Sequence, residues 1–340
     1  MTLIRARAPL RISFAGGGTD VPPFPEREGG CVLNATISKY THGTLRPRRD
    51  HRVQIESLDF GVLIEYDPKK LISYDGNMDM VKAAVKKIKG RDSRGFDLLL
   101  HSDVPPGTGL GSSSSVMVTL VGLLKEFENL PLSDYEIADL AHTIERKELK
   151  IKGGLQDQYA ATFGGFNFME FLKDRVIVNP LKIKQDVLNE LEHNLLLCYT
   201  GGTRLSAKII EDQVARYKSG EAETREGMRE LKRIAIEMKN ALLQGKLNEF
   251  GELMNLAWTN KQKMSRKIAT PQILKMHDAA LKAGAIGGKI SGAGGGGYMM
   301  FYCEFNRKHK VAEALKKQGG TISDFSFDLH GLQTWRVHED

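Results

Sequence analysis

The stretch Val104-Pro105-Pro106-Gly107-Thr108-Gly109-Leu110-Gly111-Ser112-Ser113-Ser114-Ser115 decides how this chain is read. Three glycines at alternate positions lead into four serines, and Val116, Leu120, Val121, Leu123, Leu124 and Phe127 follow at helical spacing. Phe96-Asp97-Leu98-Leu99-Leu100-His101 ahead of it reads as a strand, so the order is strand, glycine turn, helix. Glycines let the backbone approach an oxyanion closely. The first N–H groups of a helix lack partners within it, and its dipole favours negative charge at that end. Serine hydroxyls there add donors or a magnesium ligand. The plainer alternative is a serine-capped helix after a tight turn.

The chain has 340 residues, more than one hydrophobic core usually holds, so two domains divided near residue 180, 1–180 and 181–340, with a cleft between them are expected. With 41% hydrophobic and 27% charged residues it is an ordinary globular sequence, which excludes disorder. The net charge of +7 is dispersed and lacks aromatic interleaving, which suits phosphorylated small ligands and speaks against nucleic acid. Cys31, Cys198 and Cys303 match no metal or redox spacing, and neither do the histidines, His142 included. Arg5 and Arg7 precede no apolar signal core, and the apolar run 116–124 is too short to span a bilayer. No membrane association and a cytoplasmic location are the expectation.

The pattern in residues 3–15 predicts a strand broken near Pro9 and closed by Gly16-Gly17-Gly18, with Arg11 projecting from it. Short strands are expected at 31–37, 40–46, 52–57 and 62–66, and helices at 77–89 and from Ser115 to about Glu128. Ser133-Asp134-Tyr135-Glu136 is a capping box opening another helix. Glu145 falls at the edge of that helix's apolar stripe. Gly153-Gly154 then turns the chain, and Phe166 to Val178 reads as a hairpin. A strand at 195–199, helices at 205–217, 221–244 and 247–259, and a helix opened by Thr270-Pro271 follow.

Residues 292–297 contain the spacing Gly-x-Gly-x-x-Gly, but a strand follows where a dinucleotide site needs a helix. Gly-x-x-x-x-Gly-Lys-Ser/Thr is absent as well. Rossmann and Walker nucleotide sites are thereby disfavoured, and a turn that lets two backbones pack closely remains open. Asp157 lies twelve positions after Glu145. Phosphoryl transfer needs an acid that holds magnesium, an acid near the accepting hydroxyl, and positive charge where negative charge develops. These two acids fill the first two roles if Gly153 and Gly154 fold the chain back; otherwise they are surface carboxylates. Asp20 sits in a turn, which such residues often merely stabilise. Arg204 and Lys208, four apart, could hold a phosphate or simply start a helix.

Residues 8–20, 105–115 and 289–297 resemble, in order and spacing, the three motifs of the GHMP kinases, which include galactose, homoserine, mevalonate and phosphomevalonate kinases. The resemblance spans nearly the whole chain. It implies an α+β fold with an N-terminal domain like ribosomal protein S5 domain 2 and a C-terminal ferredoxin-like domain. The version Arg-Ile-Ser-Phe-Ala-Gly-Gly-Gly-Thr-Asp is similar to the D-glycero-D-manno-heptose 7-phosphate kinase branch. Galactokinases typically carry Gly-Glu-His-Thr-Asp there.

That resemblance implies ATP held by Pro106, Gly107, Thr108, Gly109, Leu110, Gly111, Ser112, Ser113 and Ser114, and Mg2+ held by Ser113 with Glu145. Asp157 would sit at the accepting hydroxyl as base or orienting charge. Arg11 would pair with it and help neutralise the transferring group. The expected substrate residues are Gly17, Gly18, Thr19 and Asp20, with Lys289, Gly292, Gly294 and Gly295 closing the site from the second domain. Thr203, Arg204 and Lys208 are the candidates for the sugar phosphate. The implied partners are ATP and a sugar phosphate, the implied reaction is transfer to its anomeric hydroxyl, and the product feeds nucleotide-activated heptose for surface polysaccharide. A galactokinase- or fucokinase-like enzyme shares everything except the acceptor pocket. A non-catalytic sensor of the same fold should have lost Asp157 or Glu145, and both are present.

Overall fold

A computed structural model describes residues 2–59, 61–67, 73–90, 94–202 and 206–338. Seven strands of the first sheet come from the first half: β1 (Thr2–Ala15), β2 (Gly30–Pro47), β3 (Val53–Ser57), β4 (Val62–Tyr66), β5 (Phe96–Ser102), β6 (Phe166–Phe171) and β7 (Val176–Pro180). Between them run α1 (Phe24–Glu28), α2 (Asp79–Ile88), α3 (Ser112–Glu128), α4 (Asp134–Thr143) and α5 (Gln156–Phe163). The second half contributes α6 (Gln185–Asn194), β8 (Leu195–Tyr199), α7 (Ser206–Ser219), α8 (Ala222–Leu243), α9 (Leu247–Met264) and α10 (Pro271–Ala283). It ends with β9 (Ala285–Ile290), β10 (Tyr298–Cys303), α11 (Lys308–Lys317), β11 (Thr321–Ser323) and β12 (Gln333–His338).

Pro9 does not break β1. The ladder shifts register between Pro9 and Leu10, whose partners on β2 are Tyr40 and Ile37, so β2 bulges opposite the residue that has no N–H to give. The two strands expected at 31–37 and 40–46 are therefore one long strand. The first sheet runs β12-β1-β2-β5-β3-β4, with β6 joining β2 to β7. Its pairings are antiparallel except β3 with β5.

The second sheet runs β11-β8-β10-β9 and is antiparallel throughout. A strand, helices, two strands, a helix and a strand in this order form the split βαβ of a ferredoxin-like domain. All four strands of this sheet come from residues 195–323, whereas β12 crosses back to pair with β1 in the first sheet.

β1 is buried along most of its length because it serves two cores. Ile4, Ala6 and Ala8 pack under α3 with Leu120 and Leu124. Leu10, Ile12 and Phe14 pack with Leu231, Phe250 and Trp258 of α8 and α9. The alternate residues Arg11 and Ser13 face the other way, at the edge of this shared core. The three cysteines are free and buried, and burial pushes their thiols up to about 12. No helix among the described residues is long and apolar enough to cross a membrane.

Candidate active site

The Gly-Ser segment joins β5 to α3 as expected, although α3 begins at Ser112 rather than Ser115. Gly107, Gly109 and Gly111 all lie in the left-handed region, with φ of 79°, 80° and 79°. This alternation is the physical reason for glycine at every second position. Gly111 is the N-cap and no side chain caps α3, so its first N–H groups stay open. Ser113 and Ser114 turn their hydroxyls elsewhere. They donate to Glu145 Oε1 and Oε2 at 3.0 and 2.8 Å.

Glu145 is fully buried, and Gln158 Nε2 also donates to it. It is carried by a π-helical turn, Ile144–Glu148, that continues α4. Such turns recur at functional sites.

Two cavities meet at this segment. One, about 420 Å3, is lined by Met78, Met80, Val81, Leu100, Val104 and Val116 among others, and Pro106 borders it. The other, about 290 Å3, is lined by Arg11, Asp20, Glu145, Asp157, Lys261 and Lys289, together with Gly107, Gly109 and Gly111. Ser112, Ser113 and Ile151 line both. An apolar chamber and a charged chamber are thus joined beside an open helix N-terminus.

Asp157 stands in the first turn of α5. Arg11 Nε and Nη2 both reach its Oδ1, at 2.8 and 2.7 Å, while Nη1 donates to the Gly109 carbonyl at 2.7 Å. Among the described residues nothing hydrogen-bonds Oδ2. The carboxyl carbon lies 3.5 Å from where a Cβ on Gly111 would stand, which puts Asp157 directly against the start of α3. The turn at 153–154 packs against the first glycine turn: a Cβ on Gly154 would lie 1.9 Å from Asp20 Oδ2. Asp20, 1% exposed, accepts from Gly18 N at 2.9 Å, Gln156 N at 3.1 Å and Gln156 Nε2 at 3.2 Å. It clamps the first glycine turn to α5 at the cavity wall.

The third glycine run packs against the second, backbone on backbone. A Cβ on Gly292 would lie 2.7 Å from Gly109, and one on Gly297 would lie 2.1 Å from the Thr108 carbonyl. Tyr298 N donates to that carbonyl at 3.0 Å. Gly292 also lines the charged cavity, as Gly17 and Gly18 do.

Several expected residues are placed elsewhere. Thr19 is fully buried and its hydroxyl donates to the Gly16 and Cys31 carbonyls, so it braces its own loop. Thr108 and Leu110 are fully buried as well and contribute backbone to the loop, not side chains to the cavity. Gly294 and Gly295 abut Ile268, where Gly295 N meets its carbonyl at 2.8 Å. Lys208 is exposed: α7 turns Ser206, Ala207, Ile210 and Gln213 toward the cavity, and helical spacing points Lys208 away. Thr203 and Arg204 lie outside the described residues.

Lys261 escaped the sequence reading. It continues the buried face of α9 after Phe250, Met254 and Ala257, and a lysine in that stripe is the signal that marks it. Burial pushes its ammonium down to about 8, partly offset by Asp20. Lys289 is pushed well below the usual lysine range by burial and by the charges of Lys261 and Arg11.

Residues 79–165 match the family model of the GHMP kinases N terminal domain and residues 238–321 that of the GHMP kinases C terminal domain. The chain is 42% identical over 341 residues to a D-glycero-alpha-D-manno-heptose 7-phosphate kinase of Campylobacter jejuni, covering 99% of this chain and 100% of that one. A solved D-glycero-D-manno-heptose 1-phosphate kinase from Bacteroides thetaiotaomicron superposes with a TM-score of 0.83 at 36% identity, covering 99% and 100% of the two chains. A putative sugar kinase from Campylobacter jejuni gives 0.81 at 40% identity over 98% of each chain. The motifs, the joined cavities and these full-length matches agree: the chain belongs to the GHMP kinase family and is an ATP-dependent kinase.

Proposed function

We propose that this kinase transfers the γ-phosphoryl group of ATP to the anomeric hydroxyl of D-glycero-D-manno-heptose 7-phosphate, giving the 1,7-bisphosphate. One observation carries the assignment of roles: Asp157, fixed through one oxygen by Arg11, presents its other oxygen beside the uncapped start of α3. The acceptor identity is supported by the full-length Campylobacter relative.

The apolar cavity suits a nucleoside, and the loop from Gly107 to Ser114 brings its N–H groups to the phosphates. Mg2+ fits Ser113 and Glu145, a hydroxyl and a carboxylate already 3.0 Å apart. Among the described residues there is no cluster of three or more metal-binding side chains, so nucleotide phosphates and water would complete the shell. When bound, the ion offsets phosphate charge.

The acceptor hydroxyl gives its proton to Asp157 Oδ2 as its oxygen bonds the γ-phosphorus. The bridging bond to the β-phosphate breaks, and ADP leaves with the electron pair. Arg11 keeps the carboxylate in place and sets positive charge beside the transfer.

The test is 31P NMR of protein with MgATP and each of heptose 7-phosphate, galactose and fucose. A new anomeric phosphate on the heptose, with ADP, is expected. Turnover of galactose or fucose in its place would move the enzyme to another branch of the family.

A further inference from the structure

The transfer step leaves Lys261 without a role. Its side chain is 4% exposed and lines the charged cavity, and among the described residues no hydrogen bond or ion pair reaches it. Lys289, 3% exposed, enters the same cavity from β9, its ammonium donating to the Ser13 carbonyl. Ser13 borders the cavity too, and its Oγ is buried with no partner. Three donors from α9, β9 and β1 therefore converge with bonding capacity to spare. A buried ammonium and a buried hydroxyl are costly unless something accepts from them.

The carboxylates nearby are already engaged. Asp157 is held by Arg11, Glu145 by two serines and Gln158, and Asp20 by three N–H groups. Arg11, Arg146, Lys152, Lys261 and Lys289 line the cavity against Asp20, Glu145 and Asp157, an excess of positive charge. The Gly-Ser loop and Ser113 serve the nucleotide. Met264, three residues beyond Lys261 on α9, abuts Gly18 of the first glycine turn instead.

We propose that Lys261, Lys289 and Ser13 form the subsite for a phosphate group already carried by the acceptor, and that Lys261 makes the enzyme select phosphorylated acceptors. This rests on the reading of the acceptor as a sugar phosphate. It reassigns the role first expected of Lys208, which faces solvent.

The test compares wild type with Lys261→Met, which keeps the aliphatic stem and removes the charge, and Lys261→Arg, which restores it. Heptose 7-phosphate and unphosphorylated heptose are the acceptors at saturating MgATP. Inorganic phosphate is titrated by calorimetry into protein filled with MgADP.

Lys261→Met should lose roughly 10- to 100-fold in kcat/KM for the phosphorylated acceptor, mainly through KM, the worth of one charge-assisted hydrogen bond. Its kinetics with unphosphorylated heptose and its KM for ATP should stay within about threefold of wild type. Phosphate binding should disappear in Lys261→Met and return in part with arginine. Equal losses on both acceptors through kcat would overturn the proposal, since Lys261 would then serve the transferring phosphoryl group. Failure of the wild type to bind phosphate beside MgADP would overturn it as well. A wild type that turns over neither heptose removes the acceptor assignment alone, and the phosphate titration still decides the subsite.

Discussion

On the proposed function the charged cavity has a donor end and an acceptor end, and the two are built on opposite plans. The donor end is local: one run from Gly107 to Ser114 supplies backbone N–H groups and hydroxyls, with Glu145 behind them. The acceptor end is assembled from far apart. Arg11 comes from β1, Asp20 from the first glycine turn, Asp157 from α5, Lys261 from α9 and Lys289 from β9. A donor common to many kinases needs only a shaped backbone, whereas an acceptor must be distinguished by charged side chains. Variation in those side chains can change the acceptor without disturbing the loop. Asp157 is where the two ends touch, lying against Gly111 on one side and held by Arg11 on the other.

The contrast breaks most visibly at Asp157. Asp157→Asn removes the charge and keeps the shape, and its kcat should fall roughly 1,000- to 10,000-fold in an ADP-release assay. Next comes the dependence of the donor end on backbone shape. Gly297→Ala would set a Cβ 2.1 Å from the Thr108 carbonyl at a φ of +92°, so about 3 kcal/mol of stability should be lost in urea denaturation. Glu145→Gln should raise the KM for MgATP roughly 10- to 100-fold and leave the acceptor KM nearly unchanged.

The smallest effect belongs to pH. Lys261 sits near 8 in the free enzyme and must be charged to hold a phosphate, so binding takes up a proton above that pH. The acceptor KM should then rise as pH increases through 8, by up to about tenfold per unit, and Lys261→Met should flatten the rise.

The same contrast explains what could be read without the structure. The Gly-Ser loop, Glu145, the turn at 153–154 and Asp157 were legible because each is encoded by neighbours in sequence. Thr19 was misassigned, since a threonine in a glycine turn looks the same whether its hydroxyl faces a ligand or the Cys31 carbonyl. Gly294 and Gly295 belonged to a run whose composition does not say which glycines meet Ile268 and which meet the second loop. Lys261 was hidden because its role depends on α9 packing against β1. β12 pairs with β1 at the opposite end of the chain, a partnership that no local pattern announces.

The most direct test of the view that both ends meet at Asp157 is to measure binding apart from chemistry in Asp157→Asn. Calorimetry with MgADP and with heptose 7-phosphate should give affinities within about threefold of wild type while turnover is lost. Near wild-type turnover, or loss of MgADP binding together with turnover, would contradict it.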